Sequence, residues 1–186
     1  MFRFIRSVIV LVVLFVAASF LFRTVYSLPS AEGRDNSTAI EASTDTELGN
    51  LILDLKSDHA GKSGVSPLIH GPDAFAARIV LAEAAQTSID VRYYIWQKDL
   101  TGLLLLQSLR DAADRGVRVR MLLDDNGIPD LDPELAEMDA HPIIEVRIFN
   151  PFVLRSPRMV SYLLDFSRLN RRMHNKSMTF DGVAAI

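Results

Sequence analysis

A chain of 186 residues is about one domain's worth at ~100–200 residues per domain, and with 49% apolar and 23% charged residues it has a globular rather than a disordered composition. Its 20 basic and 23 acidic residues give a net charge of −3, which excludes the strongly basic footprint of a nucleic-acid-binding domain. The absence of cysteine excludes disulfides, thiolate nucleophiles, iron–sulfur clusters, Cys-ligated zinc and a lipid-modified N-terminal cysteine.

Residues 1–28 read as a membrane anchor or signal segment. Between Arg6 and Arg23 lie 16 residues whose only polar members are Ser7 and Ser19. As a helix they span ~24 Å, short of the ~30 Å hydrocarbon core. Snorkelling of Arg23 and the continuation through 24–28 complete a tilted span. A cleaved signal peptide shares the length and the basic start, although no Ala-x-Ala site closely follows the apolar run. Arg3, Arg6 and the amino terminus before the span, against Arg23 and Arg34 after it, orient the N-terminus inside and the body outside.

Residues 29–66 read as a polar tether rich in Ser, Thr, Asp, Glu and Gly, with one or two helical turns at 48–55. Asn36-Ser37-Thr38 matches a glycosylation sequon, which has meaning only in a eukaryotic lumen. Gly61-Lys62-Ser63 looks like part of a phosphate-binding loop. The required first glycine falls on Lys56 and no strand precedes it, so that reading is rejected.

Residues 67–186 alternate between helical and strand patterns. Pro72-Asp73 opens a helix on which Phe75, Ile79 and Ala82 recur at helical spacing. In 88–96, Ile89, Val91, Tyr93 and Ile95 alternate as in a strand. Thr101 is expected to cap a Leu-rich helix that stops at Arg115-Gly116. A second strand at 117–123 ends in Asp124-Asp125-Asn126-Gly127. Asp132-Pro133 starts a short helix, and a third strand at 143–149 ends in Asn150-Pro151. A helix at 157–169 precedes a fourth strand at 173–180. Asp181-Gly182 is a two-residue hairpin signal, and 183–186 begin a returning strand. Ending on Ile186, four residues into that strand, reads as a truncated domain with a short edge. The interleaving predicts an α/β fold: an α-β-α sandwich half-domain with a mainly parallel sheet.

The residues that carry chemistry lie near the end. On a strand, His174 and Lys176 share a face. A cation beside an imidazole favours its neutral, nucleophilic form, and an ammonium can hold a phosphate oxygen through transfer. Asp181, seven residues on, has the wrong parity for that face and is expected to hold the turn. The plain alternative for the whole run is a polar edge strand ending in an Asp-Gly turn. His59, His70 and His141 read as surface-loop residues. Asp124-Asp125 closes a strand, where functional carboxylates of α/β sheets gather, but also fits ordinary turn chemistry. Asp90 lies on the strand face opposite Ile89 and Val91, as a candidate orienter of a histidine or a plain surface acid. Arg171 and Arg172 suit an anionic lipid head group or simple solvation of the strand's approach. Tyr93, Tyr94 and Trp96 read as core and rim.

His174-x-Lys176-x4-Asp181 resembles the His-x-Lys-x4-Asp signature of the phospholipase D superfamily. The flanking segments resemble its bacterial cardiolipin synthase branch, in particular the C-type members: 171–177 (Arg-Arg-Met-His-Asn-Lys-Ser), 88–96, 119–127 and 146–152, each at a strand or its end and in the expected order. The resemblance covers about 66–186. It implies His174, Lys176 and Asp181 as site residues and no cofactor or metal. It also implies a phospholipid substrate of the phosphatidylglycerol kind and phosphodiester transfer through a phospho-histidine.

The small-residue pair and Asn that follow the signature in the family fall beyond Ile186. The second His-x-Lys motif that most members carry is not in this chain. The resemblance therefore implies a partner: a second half-domain or a second copy. With the N-terminal segment it implies a bacterial inner-membrane location, the domain on the outer, periplasmic side, and no nucleic-acid partner. Two other readings stand beside it, a single-motif phosphodiesterase or nuclease acting as a homodimer, and an inactive membrane-tethered fragment.

Overall fold

The computed structural model describes all residues except Pro29, Ala31, Arg34 and Asp35. The chain divides into two compact units: Met1–Asp35 with Asn150–Arg172, and Asn36–Phe149 with Met173–Ile186.

The first unit is helical. α1 (Phe2–Val25) has 24 residues, about 36 Å at the helical rise, so the helix runs well past the 16-residue apolar stretch and is long and apolar enough to cross a bilayer. Arg23, in its last turn, pairs through Nε with Asp165 Oδ1 at 3.0 Å and donates to Ser167 Oγ at 2.8 Å. α6 (Arg158–Leu164) and α7 (Phe166–Leu169) divide the helix expected at 157–169, with Asp165 between them. Asn150 holds their far end: its amide donates to the carbonyls of Arg168 (2.6 Å) and Arg171 (2.7 Å), and its Oδ1 accepts from Arg168 (2.8 Å).

The second unit is α/β. Its elements are α2 (Glu47–Lys56), α3 (Gly71–Ala84), β1 (Ser88–Tyr93), α4 (Leu100–Asp114), β2 (Arg118–Asp124), a 3₁₀ turn (Asp125–Gly127), α5 (Asp132–Asp139), β3 (Ile144–Phe149), β4 (Lys176–Phe180) and β5 (Ala184–Ala185). The strands form one sheet in the order β3-β2-β1-β4-β5. β1, β2 and β3 pair in parallel through the α4 and α5 crossovers, and β4 is antiparallel to both its neighbours.

Register follows the apolar alternation. Ile89 lies opposite Val119 and Phe180, and Val91 opposite Met121 and Met178. These residues form one buried cluster with Leu105, Leu109 and Ala112 of α4 and Leu135 and Met138 of α5. The other face carries a polar row in which Asp90 and Glu145 flank Arg120. Arg120 forks onto both Asp90 oxygens at 2.6 Å, so Asp90 is engaged there and does not orient a histidine.

Three local expectations differ from the structure. The cap of α4 is Asp99 rather than Thr101; Asp99 Oδ1 accepts from Gly102 N–H and from the Thr101 hydroxyl, both at 2.8 Å. A carboxylate can accept both donors, and Thr101 serves as one of them. Within 29–66, Ser37 donates to Glu145 Oε2 at 2.8 Å and accepts from Arg120 at 3.2 Å, so the stretch read as a tether reaches the polar row of the sheet. His141 does lie in a loop, between α5 and β3, but is part-buried there, with Nε2 3.3 Å from Asp114 Oδ1.

The Asp-Gly hairpin forms as its chemistry dictates. Asp181 (φ +48°) and Gly182 (φ +67°) both take the left-handed conformation of a type I′ turn, closed by Val183 N–H on the Phe180 carbonyl at 3.0 Å. The returning strand is short, yet Ile186 exchanges two hydrogen bonds with Met178, at 2.8 and 2.9 Å. β4 therefore has a partner on both edges, along its full length against β1 and over 178–180 on the β5 side.

Candidate functional site

His174, expected inside the fourth strand, lies just outside it. The β1–β4 ladder begins at Lys176, opposite Tyr93, at the end of the sheet where β1 and β2 finish. The two side chains still meet: His174 Nε2 is 3.2 Å from Lys176 Nζ, and both residues are exposed. Tyr94, the residue after β1, supplies a platform. Its ring centroid is 5.1 Å from that of His174, and Lys176 Nζ lies 5.6 Å from the Tyr94 centroid. An imidazole, an ammonium and an aromatic face thus share one solvent-facing spot, an arrangement suited to receiving a phosphate oxyanion beside a nitrogen nucleophile.

The backbone around His174 is held on both sides. Met173 N–H donates to Asp124 Oδ2 at 3.0 Å, and the Asn175 carbonyl accepts from Tyr94 N–H at 2.8 Å. Asp124 is fully buried, and its Oδ1 accepts from Asn126 N–H at 3.0 Å. The 3₁₀ turn that follows packs against the loop after β1. Gly127 O accepts from Trp96 N–H at 2.8 Å, and a Cβ at Gly127 would fall 1.7 Å from the Tyr94 carbonyl oxygen.

Asp181 sits at the opposite end of β4 from Lys176 and is 1% exposed. Its carboxylate accepts from the N–H groups of Gln86, Thr87 and Ser88 and from the Thr87 hydroxyl, at 2.9–3.2 Å. Burial pushes its carboxyl up, but these four donors outweigh that and hold it below the ordinary value. The structure thus brings His174 and Lys176 together and places Asp181 under the loop that starts β1.

Arg172 lies in the helical unit, where it donates to the Tyr162 hydroxyl at 2.6 Å and stacks over the rings of Phe152 and Tyr162. Among the described residues no three His, Asp or Glu side chains converge as a metal-ligand set. From the sequence Tyr94 reads as a core or rim residue, whereas it lies against His174 and Lys176. The sequence assigns Asp124 no partner. The signal for Asp124 was its position at the carboxyl end of a parallel strand.

Residues 79–186 match the family described as "Cardiolipin synthase, PLD-like domain". The chain is 57% identical over 139 residues to Cardiolipin synthase C of Escherichia coli K12, covering 75% of this chain and 29% of that protein. It is 37% identical over 143 residues to an uncharacterized protein of Helicobacter pylori 26695, covering 76% and 28%. It is 30% identical over 137 residues to the major cardiolipin synthase ClsA of Bacillus subtilis 168, covering 72% and 26%. Among solved structures, NucT from Helicobacter pylori aligns at a TM-score of 0.42 and 16% identity, over 59% of this chain and 60% of that one. The chain spans less than a third of the length of these curated relatives. With the match covering more than half of its residues, this chain belongs to the family of cardiolipin synthase PLD-like domains.

Proposed function

We propose that this chain supplies one histidine and one phosphate-holding lysine to a phospholipase D-like phosphatidyltransferase of the cardiolipin synthase type. The observation that carries the reading is the 3.2 Å approach of His174 Nε2 to Lys176 Nζ over Tyr94, exposed at the end of the sheet. His174 Nε2 attacks the phosphorus of a phospholipid such as phosphatidylglycerol. A P–N bond forms, the P–O bond to the head-group alcohol breaks, and Lys176 balances charge on the non-bridging oxygens. The departing alkoxide takes a proton from a second imidazole. That imidazole then removes the proton of an acceptor hydroxyl, whose oxygen attacks phosphorus and releases His174.

The second imidazole comes from another His-x-Lys half-domain or from a second copy of the chain. Loss of positioned acid–base help costs ~10²–10⁴-fold, so the chain by itself is expected to be essentially inactive. Asp181 serves the reaction only by holding the β4 turn. α1 anchors the site at the inner membrane of a bacterium, with the α/β unit on the outer side.

The test is co-expression of the full chain with a second His-x-Lys half-domain in cells that form no other cardiolipin, following labelled phosphatidylglycerol. Product from the wild type, and a loss of roughly 10²-fold or more in His174→Ala and His174→Asn, is the expected result. Equal product from either substitution would show His174 to be structural and would sink the reading.

A further inference from the structure

We propose that Asp124 is a positioning residue for His174, setting through the Met173 amide where the imidazole stands; this rests on the reading of His174 as the nucleophile. His174 lies before β4, outside the regular ladder, which begins at Lys176. Its backbone is bracketed instead by two contacts, Met173 N–H on Asp124 Oδ2 (3.0 Å) and Tyr94 N–H on the Asn175 carbonyl (2.8 Å). Without the first, the residue next to His174 loses a direct tie to the end of β2.

The same carboxylate also fixes the platform beneath the ring. Asp124 Oδ1 holds the Asn126 amide, and that 3₁₀ turn presents Gly127 to the Tyr94 carbonyl and to Trp96 N–H. A carboxylate that merely capped the turn would need only its contact two residues away. The second oxygen reaches 49 positions along the chain, to the residue next to His174. Full burial of a carboxylate is costly unless donors satisfy it, and here the Met173 amide, next to His174, is one of those donors. A shift of about 1 Å in a nucleophile costs ~10²-fold, and it falls on turnover because Lys176 still receives the phosphate.

The experiment uses the full chain with the supplied second half-domain and compares kcat and KM for phosphatidylglycerol in wild type, Asp124→Ala, Asp124→Asn and His174→Ala. The expected result is a kcat about 10²-fold lower in Asp124→Ala with KM within about threefold of wild type. Asp124→Asn, which keeps the shape and one oxygen acceptor, should recover about tenfold of that loss. Should Asp124→Ala fail to fold, Asp124→Asn carries the comparison, with a kcat about tenfold below wild type expected. A kcat near wild type in the folded variants, or a loss confined to KM, while His174→Ala is inactive, overturns the role of Asp124 and leaves the functional reading standing. An active His174→Ala overturns both.

Discussion

Asp181 and Ser88 bond to one another twice, in opposite senses. Asp181 N–H donates to the Ser88 carbonyl at 2.8 Å, and Ser88 N–H donates to Asp181 Oδ1 at 3.0 Å. The pair locks the first residue of β1 to the turn after β4, across 93 positions of chain. It thereby sets the antiparallel register that puts Lys176 opposite Tyr93 at the other end.

Asp181→Asn should therefore destabilise the α/β unit. The four donors that face the carboxylate would be left with one amide oxygen and a misplaced NH2, a loss of about 3 kcal/mol at neutral pH. The native carboxyl titrates below its ordinary value of 3.8, so in the interval between the two values the unfolded chain binds the proton and the folded one does not. The stabilisation is complete above the ordinary value and is lost as pH falls through the native one. Urea unfolding of the full chain in detergent should show the gap between wild type and Asp181→Asn closing below about pH 4. A gap unchanged from pH 7 to pH 3 would contradict the assignment.

Gly127→Ala should cost about 3 kcal/mol, because its Cβ would meet backbone atoms that no rotamer change can move. The nearest are the Tyr94 carbonyl oxygen at 1.7 Å and carbon at 2.7 Å, and Ile95 Cα at 3.0 Å. The strain falls on Tyr94, so contact between its ring and His174 should loosen as well. Proton NMR of His174 reports this as loss of the ring-current shift. A substitution that leaves both the melting temperature and that shift unchanged would show the close approach to be unimportant.

α1 presents Leu11, Val13, Leu14, Phe20 and Leu21 with more than half of their surface exposed, an apolar surface suited to a bilayer. Alkaline extraction of membranes should leave the full chain in the pellet, and replacing Leu11 and Leu14 by Asp should release it. Complete recovery of the unprocessed wild-type chain in the soluble fraction would exclude an anchor.

Much of the α/β unit was legible in the sequence, because strand alternation, helix spacing and turn residues act over a few positions. Val91 and Met121 point inward wherever their strands are placed, since period-two alternation leaves no other face for them. Asp181-Gly182 makes the same tight turn by virtue of two left-handed conformations that these residues tolerate. The pairing of His174 with Lys176 was readable on the same local ground, two positions apart, although the strand starts later than its apolar pattern suggested.

What the tertiary structure decided is everything that depends on which strand lies beside which. Asp90 is spent on Arg120 because β1 and β2 pair in parallel with those residues in register. Tyr94 lies against His174 because β4 inserts beside β1, with Lys176 facing Tyr93, and Asp124 reaches Met173 across 49 positions. Conformational preferences act between near neighbours, whereas these contacts exist only after the sheet order β3-β2-β1-β4-β5 has brought distant strand ends together at one end of the sheet.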